Sequence, residues 1–127
     1  MKAKRERSEY KIQTDFIAYC RARGWLVERL IGNAFQTGIP DLYLYHPKWG
    51  ARWVDLKSPG RYSFTKAQRI KWPLWEKFGL GIWIVTSADQ EGYDKLFGPP
   101  NWRKFVKKTW KIPTQEEIDK MLDEIEA

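Results

Sequence analysis

The sequence predicts an α/β domain in which a mixed sheet is flanked by helices, with the element order αβββαβ and a helical C-terminal extension. Four short segments rich in aromatic and β-branched residues are separated by breaks containing Gly or Pro, as is typical of strands. Two longer stretches carry apolar residues at helical spacing, one before the first strand and one between the third and fourth. The length of 127 residues and the hydrophobic share of 43% suit one domain with a single core.

The first helix is expected to begin at Ser8, a good N-cap residue, and to run to about Arg23, where Gly24 is a stop signal. Residues 1–7 then form a basic N-terminal arm. One face of this helix carries an apolar stripe made of Ile12, Phe16, Tyr19 and Cys20. The strands that follow are predicted over residues 25–30, 41–46 and 52–57.

A crossover helix is predicted from about Thr65 to Phe78, with Pro73 as the expected position of a kink. The fourth strand, residues 81–86, is apolar enough to be buried on both faces. Residues 8–90 are therefore expected to form the core domain, and residues 91–127 an extension. That extension contains a basic aromatic segment over 101–111 and an acidic amphipathic helix from Thr114, where Thr114 and Glu117 match a capping box.

Charge is unevenly distributed along the chain. The formal net charge is +7, yet the C-terminal segment is strongly acidic. The net positive charge of the residues before that segment is therefore greater than +7. Against the single base Lys120, the acidic residues after Thr114 are Glu116, Glu117, Asp119, Asp123, Glu124 and Glu126. A basic body favours a polyanionic partner, most often nucleic acid, although basic charge retained for solubility is the alternative.

Several classes of protein are excluded by composition. One cysteine and one histidine cannot form an internal disulfide framework or a Cys/His zinc site. The charged share of 31% and the mean hydropathy of -0.65 argue against a membrane span, and the N-terminus lacks the apolar stretch of a secretory signal. We therefore expect no membrane partner and a reducing, cytoplasmic location in a bacterial or phage-infected cell.

Three ionisable residues stand at the centre of the predicted sheet. Asp41 opens the second strand directly after Pro40, while Asp55 and Lys57 lie two apart on the third strand and so share one face. Two carboxylates on neighbouring strands suit Mg²⁺, and a lysine beside them can offset charge on a phosphate. An isolated D-x-K is more often a solvated ion pair, but charges on a central strand are costly unless they are paired or used.

These residues resemble a known family. Gly38-Ile39-Pro40-Asp41-Leu42, then Trp53-Val54-Asp55-Leu56-Lys57, then a helix carrying Gln68 are similar to the PD-(D/E)xK nucleases. The resemblance runs from about Ser8 to Thr86 and is strongest to the VRR-NUC and Holliday-junction-resolvase-like branch of phages and bacteria. It implies a restriction-endonuclease-like core. The strand acid is Asp55 where the branch more often has Glu, and the basic stretch that names the branch is not evident.

The resemblance also implies roles for single residues. Asp41 and Asp55 would bind the divalent metal, Mg²⁺ with Mn²⁺ as a substitute, the main-chain carbonyl of Leu56 would be a further ligand, and Lys57 would assist the nucleophilic water. Glu9 matches a glutamate that often completes such sites, although an acid near a helix N-terminus also has a purely electrostatic benefit. Gln68 matches a recurrent glutamine, but Thr65-x-x-Gln68 is equally a capping box.

The resemblance implies a DNA endonuclease, and its resolvase-like relatives favour branched DNA as the substrate. A homodimer would suit the symmetric cutting of two strands. A sequence-specific restriction or homing endonuclease and a nucleic-acid-binding module without activity are the alternatives. The tryptophans beside basic residues, Trp49, Trp102 and Trp110, are candidates for stacking on bases. The candidate DNA-binding residues are Asn33, Gln36, Arg61, Lys66, Arg69, Arg103, Lys104 and Lys107.

Overall fold

The structure, a computed structural model, describes residues 4–30 and 37–126. The helices and strands of the core are α1 (Lys4–Arg21), β1 (Leu26–Arg29), β2 (Leu42–His46), β3 (Gly50–Leu56), α2 (Lys66–Lys77) and β4 (Ile82–Val85). They are followed by α3 (Gln90–Asp94), two 3₁₀ turns (Lys95–Phe97 and Trp102–Phe105) and α4 (Gln115–Glu126). The predicted αβββαβ order and the helical extension are therefore confirmed.

The sheet has the strand order β1-β2-β3-β4. The first three strands form an antiparallel meander, whereas β4 runs parallel to β3. A parallel neighbour cannot be reached by a tight turn, so α2 makes the crossover between them. The sheet is mixed, as predicted, and β3 lies in its interior between β2 and β4.

The first helix begins earlier than the sequence predicted. It starts at Lys4 and not at Ser8, so residues 4–7 belong to α1 and not to a separate arm. Lysine, arginine and glutamate are good helix formers, and here their propensity outweighs the N-cap preference of Ser8. The helix ends at Arg21, and Gly24 closes the turn after it with a φ of 88°.

Two buried clusters cover the two faces of the sheet. The first joins α1 to the sheet through Phe16, Cys20, Leu42, Leu44, Val54 and Leu56. The second lies against the opposite face and contains Phe64, Trp72, Ile82, Ile84 and Trp102. Alternation along β3 explains the division, because Val54 and Leu56 enter the first cluster while Trp53 packs against the second. Asp55 points in the same direction as Trp53.

Residues 90–97, for which the sequence predicted no helix, contain α3 and a 3₁₀ turn. Asp89 caps α3 by accepting a hydrogen bond from the Gly92 main-chain N–H at 3.0 Å. Tyr93 and Leu96 then enter the first buried cluster. A helix of five residues is too short to give a clear apolar period, which is why the pattern was missed.

The extension completes the core on the side of β4. The side chain of Asn101 accepts a hydrogen bond from the Ile84 N–H at 2.6 Å and donates one to the Ile84 carbonyl at 3.1 Å. Asn101 thus pairs with an edge strand as another strand would, and protects its open hydrogen-bonding groups. Trp102 follows and is buried.

The acidic helix α4 folds back against α2. The predicted capping box is present, since Thr114 Oγ1 accepts from the Glu117 N–H at 3.2 Å and Glu117 Oε1 accepts from the Thr114 N–H at 3.3 Å. Ile118 is buried and Lys77 pairs with Asp119 at 3.7 Å. In the described part of the chain, no helix is both long and apolar enough to cross a membrane.

Candidate active site

Two aspartates meet where the β2–β3 hairpin brings the start of one strand beside the end of the other. Leu42 is paired with Val54, which sets Asp41 level with Asp55 across the hairpin. The main-chain N–H of Asp41 donates to Asp55 Oδ1 at 3.2 Å, and the Leu56 N–H donates to Asp41 Oδ2 at 2.8 Å. Each carboxylate therefore accepts a hydrogen bond from the main chain beside the other, and the two side chains lie next to each other.

Lys57 adds a buried positive charge to this pair. Its Nζ lies 2.9 Å from Asp55 Oδ2 and donates to the Ser63 carbonyl at 3.0 Å and to Gln68 Oε1 at 3.1 Å. The main chain of Lys57 continues the sheet by donating to the Val85 carbonyl at 3.1 Å. Because the ammonium is held on three sides, its position is fixed relative to the two carboxylates.

Gln68 forms the predicted capping box and also contacts Lys57. Thr65 Oγ1 accepts from the Gln68 N–H at 3.1 Å, and Gln68 Oε1 accepts from the Thr65 N–H at 3.0 Å, which completes the capping box of α2. The same Gln68 oxygen accepts from Lys57 Nζ. The start of α2 is thereby joined to the charged centre through one amide oxygen.

Glu9 lies at the edge of this centre. Its Oε1 accepts a hydrogen bond from the Ser58 main-chain N–H at 3.3 Å, and its charge acts on Asp41. Nevertheless, within residues 4–30 and 37–126 no three His, Cys, Asp or Glu side chains are grouped closely enough to hold a metal ion. The structure thus brings Asp41 and Asp55 together, while Glu9 contacts the main chain beside them.

Burial dominates the electrostatics of the pair. Asp55 is 1% exposed, and burial, followed by the charge of Asp41, raises its pKa to about 7 although Lys57 acts in the opposite direction. Burial also raises the pKa of Asp41, against the hydrogen bond from the Leu56 N–H and the charge of Lys57. Both carboxylates are therefore held in surroundings that disfavour their charged forms.

Asp55 Oδ2 is buried, and its partner among the described residues is the Lys57 ammonium at 2.9 Å. Two buried carboxylates that share one lysine are costly to ionise, and a second cation would relieve that cost. Two adjoining carboxylates are the hard oxygen donors that a divalent cation such as Mg²⁺ prefers.

The loop that leads into Asp41 is fixed by contacts that the sequence did not reveal. The Trp72 indole N–H donates to the Gly38 carbonyl at 2.8 Å. Gly38 has a φ of 82°, and a Cβ there would stand 2.8 Å from the Ala67 main-chain carbon. Only glycine fits this position without strain. The glycine two residues before Pro40 was therefore the one feature of this segment that could have indicated the tightly packed loop.

The candidate DNA-binding residues do not share one environment. Arg61 and Lys66 are exposed, and Arg69 is half-buried. Asn33 and Gln36 lie outside the described residues. Lys104 is exposed.

Two further basic side chains are engaged within the chain. Arg103 Nε is 2.9 Å from Glu76 Oε1 and lies over the Trp102 ring, so its charge is already paired. Lys107 donates to the Tyr62 carbonyl at 3.4 Å and lies 5.1 Å from the centre of the Tyr62 ring.

The three tryptophans proposed for stacking differ in exposure. Trp102 is 1% exposed and its indole N–H donates to Glu76 at 3.0 Å, so the prediction that it stacks on bases is wrong: it is a core residue. Trp110 packs against Tyr62 and Phe64, with ring centres 6.1 Å and 5.0 Å away. Trp49 is 38% exposed and remains accessible beside Lys48.

Comparison with known proteins gives one relevant likeness. No protein-family model and no curated protein matches the chain. A solved structure described as a VRR_NUC domain matches with a TM-score of 0.57 and 24% sequence identity, covering 71% of this chain and 94% of the other. The mixed sheet and its flanking helices form an α/β domain that is consistent with the restriction-endonuclease-like fold. Within that class the chain has the fold of the VRR_NUC domain, as the resemblance in sequence implied.

Proposed function

We propose that this protein is a divalent-metal-dependent endonuclease that hydrolyses phosphodiester bonds in DNA. The observation that supports it most directly is the buried Asp41–Asp55 pair, in which each carboxylate accepts a hydrogen bond from the main chain beside the other. The pair is placed on a fold shared with a VRR_NUC domain. Two carboxylates buried side by side repel each other when ionised, and a bound divalent cation would offset that repulsion.

In this proposal Asp41, Asp55 and the main-chain carbonyl of Leu56 hold the cation, Mg²⁺ or Mn²⁺, with Glu9 at the edge of the site. A bound divalent cation would supply positive charge to the scissile phosphate and lower the pKa of a coordinated water. The hydrogen bonds from the Asp41 and Leu56 N–H groups keep the two carboxylates oriented before any ligand arrives. This preorganisation avoids a reorganisation cost when the phosphate binds.

Lys57 contributes a charge in a fixed place. The Ser63 carbonyl and Gln68 Oε1 hold its ammonium from one side, and the Asp55 carboxylate lies on the other. An ammonium so placed can orient the attacking water and offset negative charge that develops on the phosphate oxygens. Gln68 acts as a positioning residue, because it reaches the centre through Lys57.

The basic surface supports nucleic acid as the substrate. The formal net charge of +7 includes a strongly acidic C-terminal helix, so the rest of the chain is more basic than the total shows. We propose branched DNA as the substrate and a homodimer as the oligomeric state. A sequence-specific restriction or homing endonuclease is the competing enzyme. We place the activity in the cytoplasm of a bacterial or phage-infected cell.

The non-enzymatic alternative is a basic module that binds nucleic acid without cutting it. In that case the aspartates would serve only to join β2 to β3. Two acidic side chains buried side by side are a costly way to join two strands, since burial and mutual repulsion both raise the pKa of Asp55.

A cleavage panel tests the proposal. Supercoiled plasmid, a flap, a fork and a four-way junction should be incubated with wild-type protein in Mg²⁺, Mn²⁺ or EDTA. We expect metal-dependent cleavage that Asp55→Asn and Lys57→Met abolish. Asp15→Asn, which changes an exposed aspartate on α1 paired with Lys11, is the matched control and should cut like wild type. Binding without cleavage on every substrate and in both metals would favour the non-enzymatic module.

A further inference from the structure

A pocket lies outside the aspartate centre, between α2, α4 and the segment that joins α4 to the body. Its volume is about 390 Å³. It is lined by Lys66, Arg69, Ile70, Lys111, Pro113, Glu117 and Met121. Three of these side chains are basic and one is acidic, so the lining carries an excess of positive charge.

The single acid in the lining, Glu117, also has a structural role in the chain. Glu117 Oε1 accepts hydrogen bonds from the Thr114 N–H at 3.3 Å and from the Thr114 hydroxyl at 3.2 Å, as part of the α4 capping box. By contrast, none of the ion pairs found within the described ranges involves Lys66, Arg69 or Lys111. Glu117 offsets one of the three positive charges, and the lining keeps a net positive charge.

Arg69 carries the most specific signal. Its Nε is buried, and no acceptor for it is found in residues 4–30 and 37–126. A buried donor of a charged group that lacks an acceptor costs more than a neutral one, and an anionic oxygen would remove that cost. Guanidinium groups bind phosphate oxygens through paired N–H donors, which a lysine cannot do.

The position of the pocket along α2 adds to this preference. Lys66 is the first residue of α2 and Arg69 is one turn into it, and the first turn contains no acidic residue. The N-terminal end of a helix is partially positive and favours anions. Gln68, which contacts Lys57, lies in the same turn, so the pocket and the aspartate centre are joined by one rigid element.

We propose that this pocket binds a phosphate group of a nucleic-acid strand, separate from the phosphate at Asp41 and Asp55. The inference extends the proposed function, because it assigns a second anchoring point to the same substrate. Lys66, Arg69 and Lys111 supply the charge, while Ile70, Pro113 and Met121 form the apolar wall against which a sugar can pack. Free phosphate has the same chemistry, so the experiment separates the two sources.

The test measures binding and does not depend on cleavage. Affinity for a fluorescent oligonucleotide is measured in EDTA over a series of salt concentrations for wild type, Arg69→Gln, Arg69→Lys and Arg23→Gln. Arg23 is an exposed arginine that stacks on Tyr19, so its substitution removes the same charge elsewhere. In parallel, the thermal midpoint of each protein is measured with and without inorganic phosphate.

We expect Arg69→Gln to weaken oligonucleotide binding about tenfold, as the loss of one charge-assisted contact predicts. It should also lower the slope of log affinity against log salt by about one, and Arg69→Lys should recover part of both. Arg23→Gln should leave both within error of wild type. Since Arg69 Nε has no acceptor among the described residues, Arg69→Gln should not lower the thermal midpoint without ligand.

Each outcome has a defined meaning. If Arg69→Gln loses only the stabilisation by inorganic phosphate, the pocket binds free phosphate and not a strand. If Arg69→Gln matches wild type with both ligands, the pocket assignment is wrong. If the wild type cuts no substrate but is stabilised by phosphate, and Arg69→Gln is not, the nuclease proposal is contradicted. The assignment of the pocket as a phosphate site then still stands.

Discussion

The main-chain N–H of Asp41 donates to Oδ1 of Asp55 across 3.2 Å, so the residue that precedes β2 is fixed to the penultimate residue of β3. The two acids are 14 positions apart in sequence, and the hairpin register alone makes them neighbours. The carboxylate geometry is therefore a property of the sheet. It does not depend on a ligand that draws two mobile side chains together.

The buried ion pair gives the first prediction. Lys57→Met leaves the Asp55 carboxylate buried without its cation, which should lower the free energy of unfolding by about 3 kcal/mol at pH 8 in EDTA. At pH 5 the loss should be smaller, because the pKa of Asp55 is raised to about 7 and the group is then neutral. Urea denaturation measures both values.

Lys11→Met is the control for this prediction. Lys11 and Asp15 form an ion pair at 3.0 Å whose side chains are 78% and 50% exposed. Breaking such a pair should cost less than about 1 kcal/mol at either pH. Equal losses in the two variants would show that the Asp55–Lys57 pair behaves as a surface pair.

The raised pKa of Asp55 predicts how stability depends on pH. Its folded-state pKa of about 7 exceeds the ordinary value of 3.8, so between these two pH values the folded protein holds a proton that the unfolded chain has released. This group therefore makes the metal-free protein less stable as pH rises through that window. Asp55→Asn should remove the contribution, and urea denaturation in EDTA at several pH values measures it.

Metal should counteract this loss. Mg²⁺ binds the deprotonated carboxylates, so it should raise the thermal midpoint of the wild type more at pH 8 than at pH 5. Asp55→Asn should show little Mg²⁺ effect at either pH. If the stability of metal-free Asp55→Asn depends on pH in the same way as that of the wild type, Asp55 is charged over the whole of this pH range.

The double role of Gln68 can be divided by mutation. Thr65→Ala removes the N-cap of α2 and should cost about 1 kcal/mol of stability, while the Gln68–Lys57 hydrogen bond is kept. Gln68→Ala removes both and should in addition reduce cleavage, seen as a lower kcat at unchanged KM. If the two variants cut equally fast, Gln68 is only a capping residue.

Gly38 gives a prediction with a matched control. Gly38→Ala places a Cβ at a φ of 82° and 2.8 Å from the Ala67 main chain, so it should destabilise the protein by more than about 1 kcal/mol and displace the loop before Asp41. Gly60→Ala has a similar φ of 73° but no atom within 4 Å of its Cβ. It should show only the smaller backbone cost, and thermal unfolding of both variants measures the difference.

Much of the fold could be predicted because local patterns and tertiary structure agree in it. The alternation along β3 placed Asp55 and Lys57 on one face, and the structure has them there. The predicted start of α1 was wrong because the capping preference of Ser8 is outweighed by the run of good helix formers before it. Tyr93 and Leu96 were missed because α3 is too short for its period to be read.

The charged residues of the candidate site could be predicted from the sequence, but the hydrogen bonds that hold the surrounding chain in place could not. Asp41, Asp55 and Lys57 follow a local spacing that sequence displays directly. The bonds of Trp72 to Gly38 and of Asn101 to Ile84 join positions 34 and 17 residues apart, which no periodicity reveals. Trp102 was assigned to base stacking from its basic neighbours, yet burial against Trp72 decides its role.

The most direct test of the paired aspartates is a calorimetric titration of the metal-free protein with Mn²⁺ at pH 8. We predict saturable binding to the wild type and to Asp15→Asn, and its loss in Asp41→Asn and in Asp55→Asn. Circular dichroism should confirm that all four proteins are folded. If Asp41→Asn and Asp55→Asn, although folded, bind Mn²⁺ with the affinity and stoichiometry of the wild type, the two aspartates do not form a metal site.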